Sequence, residues 1–215
     1  MAAAEGVGRR QRRRQETIDE VLAVAAEVMA EAGAGGLALG EIARRMGIQP
    51  PSLYVYFDSK NAIYDAVFAR GWQTLLDSMA PLGRRLDDTD DARALMLLIS
   101  QHFVKWAVEN QAYAQLMFWR PVPGFEPSEA AFAPAVEMSR RTTQLFAELQ
   151  RRGVLRADAD IAEATTAWTA LISGVISQHL ANEPTETFDD GRFTRLLPVL
   201  SSMFLTHYGP EREIR

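Results

Sequence analysis

The stretch Glu41-Ile-Ala-Arg-Arg-Met-Gly-Ile-Gln-Pro-Pro-Ser-Leu-Tyr-Val-Tyr-Phe57 decides the fold. Two short helices that cross at close range need a small residue at the crossing, a glycine at the turn four positions later, and apolar anchors three apart in the second helix. Ala43, Gly47, Leu53 and Tyr56 stand at those places, and Ile42, Met46 and Ile48 are spaced to plug the pair onto a helix upstream. Pro50 occupies the first position of the second helix, where no backbone donor is needed. The spacing predicts a helix-turn-helix, with one helix over about Leu39–Met46, a turn at Gly47 and the next helix opening at Pro50.

Upstream, Ile18, Val21, Leu22, Ala25, Val28 and Met29 recur on one helical face, so a first helix is expected from about Arg13 to the Gly33/Gly35/Gly36 cluster. Residues 1–12 carry no such pattern and are expected as a disordered basic arm, leaving 13–58 as the helix-turn-helix unit. Downstream, Asp58-Ser59 has the look of a cap, and a connecting helix over 59–81 should end at Pro81. An acidic stretch (Asp87, Asp88, Asp90, Asp91) precedes helical patterns at about 90–110, 111–119, 128–152, 158–181 and 191–207. Period-2 strands do not recur, so the expected class is all-α, with residues 82–215 as a larger helical bundle.

Composition narrows the chemistry. The 215 residues include no cysteine, which excludes disulfides, a thiolate nucleophile and cysteine-based metal sites. The three histidines, His102, His179 and His207, lie too far apart in sequence for a local metal motif, so no metal or cofactor is expected. No Gly-rich phosphate loop follows a strand, and the carboxylates sit at helix starts or on solvated faces, so no enzyme is expected. No apolar run is long enough to span a bilayer, and the basic N-terminus leads into an amphipathic segment, which leads us to expect a cytoplasmic protein away from membranes. The net charge of −5 is unevenly spread. Residues 1–60 hold eight basic and eight acidic side chains, with five arginines between Arg9 and Arg14, while the remaining 155 hold 15 basic against 20 acidic.

A short helix with an exposed N-terminal edge is what the major groove of duplex DNA admits, offering side chains to bases and backbone amides to phosphates. Gln49, Pro50, Pro51 and Ser52 form that edge. Gln49 can bond an adenine or a phosphate, Ser52 either, and the prolines can meet a thymine methyl. Tyr54, Tyr56 and Lys60 are placed for the backbone, which positions without specifying, and Arg12 and Arg13 for phosphates or an adjacent minor groove. The same residues have plainer readings. Leu53 and Phe57 read better as core, Gln49 and Ser52 can serve as helix caps, and the arginine run can be a solvated tail.

Ile42-Ala43, Gly47-Ile48 and Ser52-Leu-Tyr-Val-Tyr-Phe-Asp-Ser-Lys60 together resemble the signature of the tetracycline-repressor (TetR/AcrR) family, over about residues 12–75. The resemblance implies a three-helix DNA-binding head on a dimeric, ligand-binding helical body, and places Gln49, Pro50, Pro51, Ser52, Tyr54, Tyr56 and Lys60 at DNA-facing positions. Two positions depart from it. Ala38 stands where a capping Thr or Ser is usual, and Gly40 where a basic residue is frequent, so the arginine run should carry more of the electrostatic affinity.

In the body, the helices at about 158–181 and 191–207 carry apolar residues over more than one face, which calls for burial on two sides. Trp168, Leu171, Gly174, Val175, Leu196, Leu200 and Met203 are the expected dimerisation residues, in a four-helix interface between two copies; burial inside one copy is the alternative. A pocket is expected among Trp72, Phe103, Trp106, Tyr113, Met117, Phe118, Phe125, Phe132 and Met138, with Thr142, Gln115 or Arg120 as polar contacts and a mostly apolar small effector. Such aromatic stripes also make ordinary core. The combined expectation is a homodimeric regulator that binds an inverted-repeat operator in double-stranded DNA and is released by that effector, the usual mode in the family being repression. The alternative is a DNA-binding architectural or protein-interaction module without a ligand.

Overall fold

The computed structural model describes residues 2–84 and 91–210. Among the described residues eight α-helices run in order: α1 Ala2–Ala32, α2 Leu39–Arg45, α3 Lys60–Arg84, α4 Ala92–Glu109, α5 Gln111–Trp119, α6 Glu129–Arg151, α7 Ile161–Asn182 and α8 Leu197–Tyr208. Short 3-10 helices lie at Ala34–Gly36, Pro50–Val55 and Thr194–Leu196. The protein is all-α, with no strand among the described residues.

Three boundaries differ from the sequence reading. The first helix begins at Ala2, so the arginine run, expected in a disordered arm, lies on helix. Arg, Gln and Ala are strong helix formers, and a long amphipathic helix already nucleated at Ile18 propagates through them at little cost. The connecting helix passes Pro81 and ends at Arg84. The last helix starts later than expected, because Thr194 donates its hydroxyl back to Phe188 and Gly191, holding residues 188–194 as a strap. Pro198 then sits in the first turn of α8, where its missing N–H costs nothing.

Caps explain most of the remaining ends. Asp91 accepts from the Ala94 amide at 2.9 Å to open α4, and Asp160 accepts from Ala162 and Glu163 to open α7. Ser128 Oγ accepts from the Ala131 amide at the head of α6. At the end of α2, Gly47 takes φ 67°, and Ile48 N–H reaches back to the Ala43 carbonyl at 3.0 Å. That left-handed turn closes the helix as a Schellman cap, which a side chain would strain.

The chain folds as two compact units, residues 1–71 with 112–132 and residues 72–111 with 133–215. This differs from the expected partition at 58 and 81, since 112–132 joins the N-terminal segment. The reason is aromatic packing: Phe125 sits 5.5 Å from Tyr64 and 6.4 Å from Phe68, and Phe132 stacks on Phe68 at 6.0 Å. Asp65 adds a latch, accepting from both the amide and the hydroxyl of Ser128 at 2.7 Å. In the second unit the core is built around Trp168, whose indole N–H donates to Ser100 Oγ at 3.1 Å and whose ring meets Phe204 at 4.9 Å. Phe204 also packs on Phe146 and Tyr208, and the Tyr208 hydroxyl donates to Glu163.

Candidate nucleic-acid interface

Ala43 is fully buried in α2, and Leu53 and Phe57 are buried behind the 3-10 helix Pro50–Val55. The expected third helix takes the tighter 3-10 form over six residues that open on two consecutive prolines. Ser52 N–H bonds the Gln49 carbonyl, and Tyr56 and Phe57 N–H both bond the Leu53 carbonyl. The Gln49 side chain makes no capping bond. Gln49, Pro50, Pro51, Tyr54 and Lys60 are exposed; Ser52 and Tyr56 are half-buried.

One exposed residue escaped the sequence reading. Val55 is 70% exposed beside Tyr54, offering an apolar surface in the same row as the proline edge. An apolar residue between two tyrosines reads as core on pattern alone. Its exposure follows from its place two residues after the buried Leu53, which puts it on the far side of the coil at either 3-10 or α pitch.

The fold is tied to this edge from behind. Tyr64 is fully buried on α3, and its hydroxyl donates to the Ala34 carbonyl at 2.8 Å, fixing α3 to the turn between α1 and α2. Burial pushes the Tyr64 phenol above its ordinary range. Ser59 Oγ accepts from the Ala62 amide at the start of α3. As the sequence suggests, Ala38 leaves α2 without a side-chain cap.

Charge is distributed in a way that composition hides. Arg44 and Arg45 of α2 are held by Glu41, and Arg45 also by Glu31. Hydrogen bonds from both guanidinium groups hold the Glu41 carboxyl down at about 2. Among the described residues Arg9, Arg10, Arg12 and Arg13 make no ion pair and are exposed, and the Arg14 guanidinium lies 5.9 Å over the Tyr56 ring. Lys60 lies 5.5 Å over the Tyr64 ring. The uncompensated positive charge of the N-terminal segment therefore sits on the first turns of α1 and on Lys60.

The expected pocket residues fall into both units. Tyr113, Met117, Phe118, Phe125 and Phe132 belong to the first, Trp72, Phe103, Trp106, Met138 and Thr142 to the second. Within the first, Met117 and Tyr113 pack so close to Gly71 that a Cβ there would lie 2.5 Å and 2.9 Å from them. Within the second, Trp106 and Met138 are buried, and the Thr142 hydroxyl donates to the Met138 carbonyl of its own helix. Gln115 is half-buried; Arg120 is exposed, with its guanidinium 5.3 Å over Phe132 and its backbone at φ 46°.

The expected dimerisation residues separate as well. Trp168 and Val175 are 3% and 5% exposed and belong to the core of the single chain, which corrects the reading that put them on an outer face. The indole turned inward because Ser100 on α4 offers it an acceptor. Leu196 and Met203 are 45% and 63% exposed, with exposed Val199 beside them; Gly174 is open, and Leu171 and Leu200 are half-buried. Among the described residues no three His, Asp or Glu side chains gather as a metal site, and no helix is long and apolar enough to cross a membrane.

Comparison with known proteins agrees with this arrangement. Residues 21–67 match the family model described as bacterial regulatory proteins, tetR family, and residues 96–199 match the tetracyclin repressor-like C-terminal domain. The HTH-type transcriptional regulator Rv1816 of Mycobacterium tuberculosis is 28% identical over 121 residues, covering 55% of this chain and 50% of that protein. The chain thus spans about half the length of the curated relatives it matches. The fold is shared with the transcriptional regulator FadR of Bacillus subtilis, solved in complex with stearoyl-CoA, at a TM-score of 0.70, 14% identity and coverage of 87% and 97%. It is shared too with the TetR family regulator PfmR of Thermus thermophilus, at a TM-score of 0.63, 20% identity and coverage of 89% and 99%. The chain belongs to the TetR family of transcriptional regulators.

Proposed function

We propose that the chain is a ligand-responsive regulator that acts in the cytoplasm as a homodimer, represses from an inverted-repeat operator and is released by a small, largely apolar molecule. The observation that carries the reading is the outward edge Gln49–Ser52, extended by Tyr54 and Val55 and held from behind by buried Leu53 and Phe57. In the major groove Gln49 and Ser52 read base edges, and Pro50, Pro51 and Val55 meet thymine methyls. Tyr54, Tyr56 and Lys60 hold the backbone, and Arg12 and Arg13 engage flanking phosphates along α1. Because Arg44 and Arg45 are already paired with carboxylates, those α1 arginines supply most of the salt-dependent affinity.

The exposed row Leu196, Val199 and Met203, with Leu200, Leu171 and Gly174, is an apolar face that a second copy covers. Two copies present their edges to successive major grooves, roughly 34–36 Å apart or a multiple of that. The effector binds among the aromatic and methionine side chains of the body, in keeping with a relative of this fold that holds an acyl-CoA. A ligand that prefers the DNA-incompetent state shifts the population toward it, and DNA must weaken that ligand by the same factor. The chain's work is binding, with no metal, cofactor or turnover required.

The test is a binding-shift assay of the purified protein on intergenic DNA from its own locus, with and without candidate apolar molecules. Retardation at an inverted repeat, lost on adding one of them, is expected. Indifference to every such repeat overturns the reading, whereas binding that no molecule relieves favours a ligand-independent architectural module.

A further inference from the structure

A cleft of about 440 Å³ opens between the first turns of α4 and one side of α8, lined by Arg93 and Leu97 from α4 and by Pro198, Ser201, Leu205 and Thr206 from α8. Its volume lies within the range of roughly 300–1,000 Å³ typical of small-molecule sites. None of the residues discussed above as pocket candidates lines it. On α8 it also uses different positions from the exposed apolar row Leu196, Val199 and Met203.

Two side-chain donors, Arg93 and Ser201, line the cleft. Arg93 is exposed and makes no ion pair among the described residues. Ser201, 5% exposed, lines the same wall. The neighbouring Thr206 hydroxyl is already spent on the Ser202 carbonyl at 2.9 Å, and the Asp91 carboxylate caps the Ala94 amide. Leu97, Pro198 and Leu205 supply an apolar wall beside the two donors.

We propose that this cleft is a second small-molecule site, separate from the effector pocket above, that takes a short amphipathic carboxylate. The guanidinium of Arg93 receives the carboxylate in a charge-assisted pair, the Ser201 hydroxyl donates to one of its oxygens, and the alkyl chain lies on Leu97, Pro198 and Leu205. A single lining cation matches a single negative charge; a doubly charged phosphate would need a second.

Octanoate is the probe, titrated into the full-length protein carrying labelled leucine methyl groups. The methyl resonances of Leu97 and Leu205 should shift and saturate in the millimolar range, and 1-octanol, of the same chain length without the charge, should bind at least ten-fold more weakly. Arg93→Gln, at an exposed position that leaves folding intact, should weaken octanoate at least ten-fold with an unchanged melting temperature. Thr206→Trp, also exposed, should fill the cleft and abolish the shifts. The proposal is overturned if those two resonances stay still, if octanol matches octanoate, or if either variant binds octanoate like the parent. None of these results bears on operator binding, which rests on other residues.

Discussion

The 3-10 helix at Pro50–Val55 and the terminal helix α8 are both short, apolar and started by proline, yet they are organised by different forces. Around Pro50 the partners are local. Leu53 is buried where its 3-10 helix packs on α2, and the Gly47 turn fixes the approach, so the spacing already states which residues are buried and which project. Around α8 the partners are distant. Phe204 is buried by Phe146 and Trp168, and Trp168 in turn by Ser100, 68 positions away. Periodicity announced an apolar helix there but not which of its sides faces the chain's own core. The lesson is that a motif whose contacts close within a few turns can be read by spacing, whereas a helix apolar on several sides waits on its neighbours.

The contrast can be broken hardest at Leu53. Truncation to Ala removes a 1% exposed anchor and should cost about 2–5 kcal/mol, read as a lowered melting temperature with loss of operator binding. Retained operator affinity would show that the edge does not depend on its buried anchor. The corresponding change on α8 leaves the fold alone: Leu196→Glu with Met203→Glu should keep the helical spectrum and melting of the single chain while weakening self-association by roughly two orders of magnitude in sedimentation. Trp168→Phe should instead destabilise the chain, by about 1–3 kcal/mol, because Ser100 loses its donor.

Smaller effects sharpen the picture of the edge. Gln49→Ala should weaken a matched operator by about 1–2 kcal/mol and relax the preference at one base pair, without moving stability. Ala38→Thr, at an N-cap already in extended geometry, should stabilise the protein by about 1 kcal/mol in a thermal melt. The slightest effect concerns acid. The folded Glu41 carboxyl is depressed from its ordinary 4.5 to about 2, so its contribution is present above pH 4.5 and is lost as pH falls toward 2. Arg44→Gln with Arg45→Gln should return the carboxyl titration, followed by NMR, to the ordinary range.

Much of the candidate site was legible because it is consecutive. Gln49, Pro50, Pro51, Ser52, Tyr54 and Tyr56 lie within eight consecutive residues, and their relative exposure follows from the buried Leu53 and Phe57. Val55 is less legible because an apolar residue between two tyrosines reads as core, and only the burial of Leu53 two positions earlier turns it outward. The pairing of Arg45 with Glu31 was equally invisible, since it joins α1 to α2 across 14 positions.

The sequence by itself determined an all-α chain, the turn at Gly47, the capped start of α3 at Ser59, and the family signature around residues 42–60. Those features arise from interactions within a few residues, where backbone geometry leaves few options. Only the tertiary structure decided that residues 112–132 belong with the N-terminal segment, that Trp168 and Val175 turn inward while Leu196 and Met203 stay outside, and that a cleft opens beside Arg93 and Ser201. Burial is a property of whatever packs against a side chain, and for these residues the packing comes from parts of the chain tens of positions away.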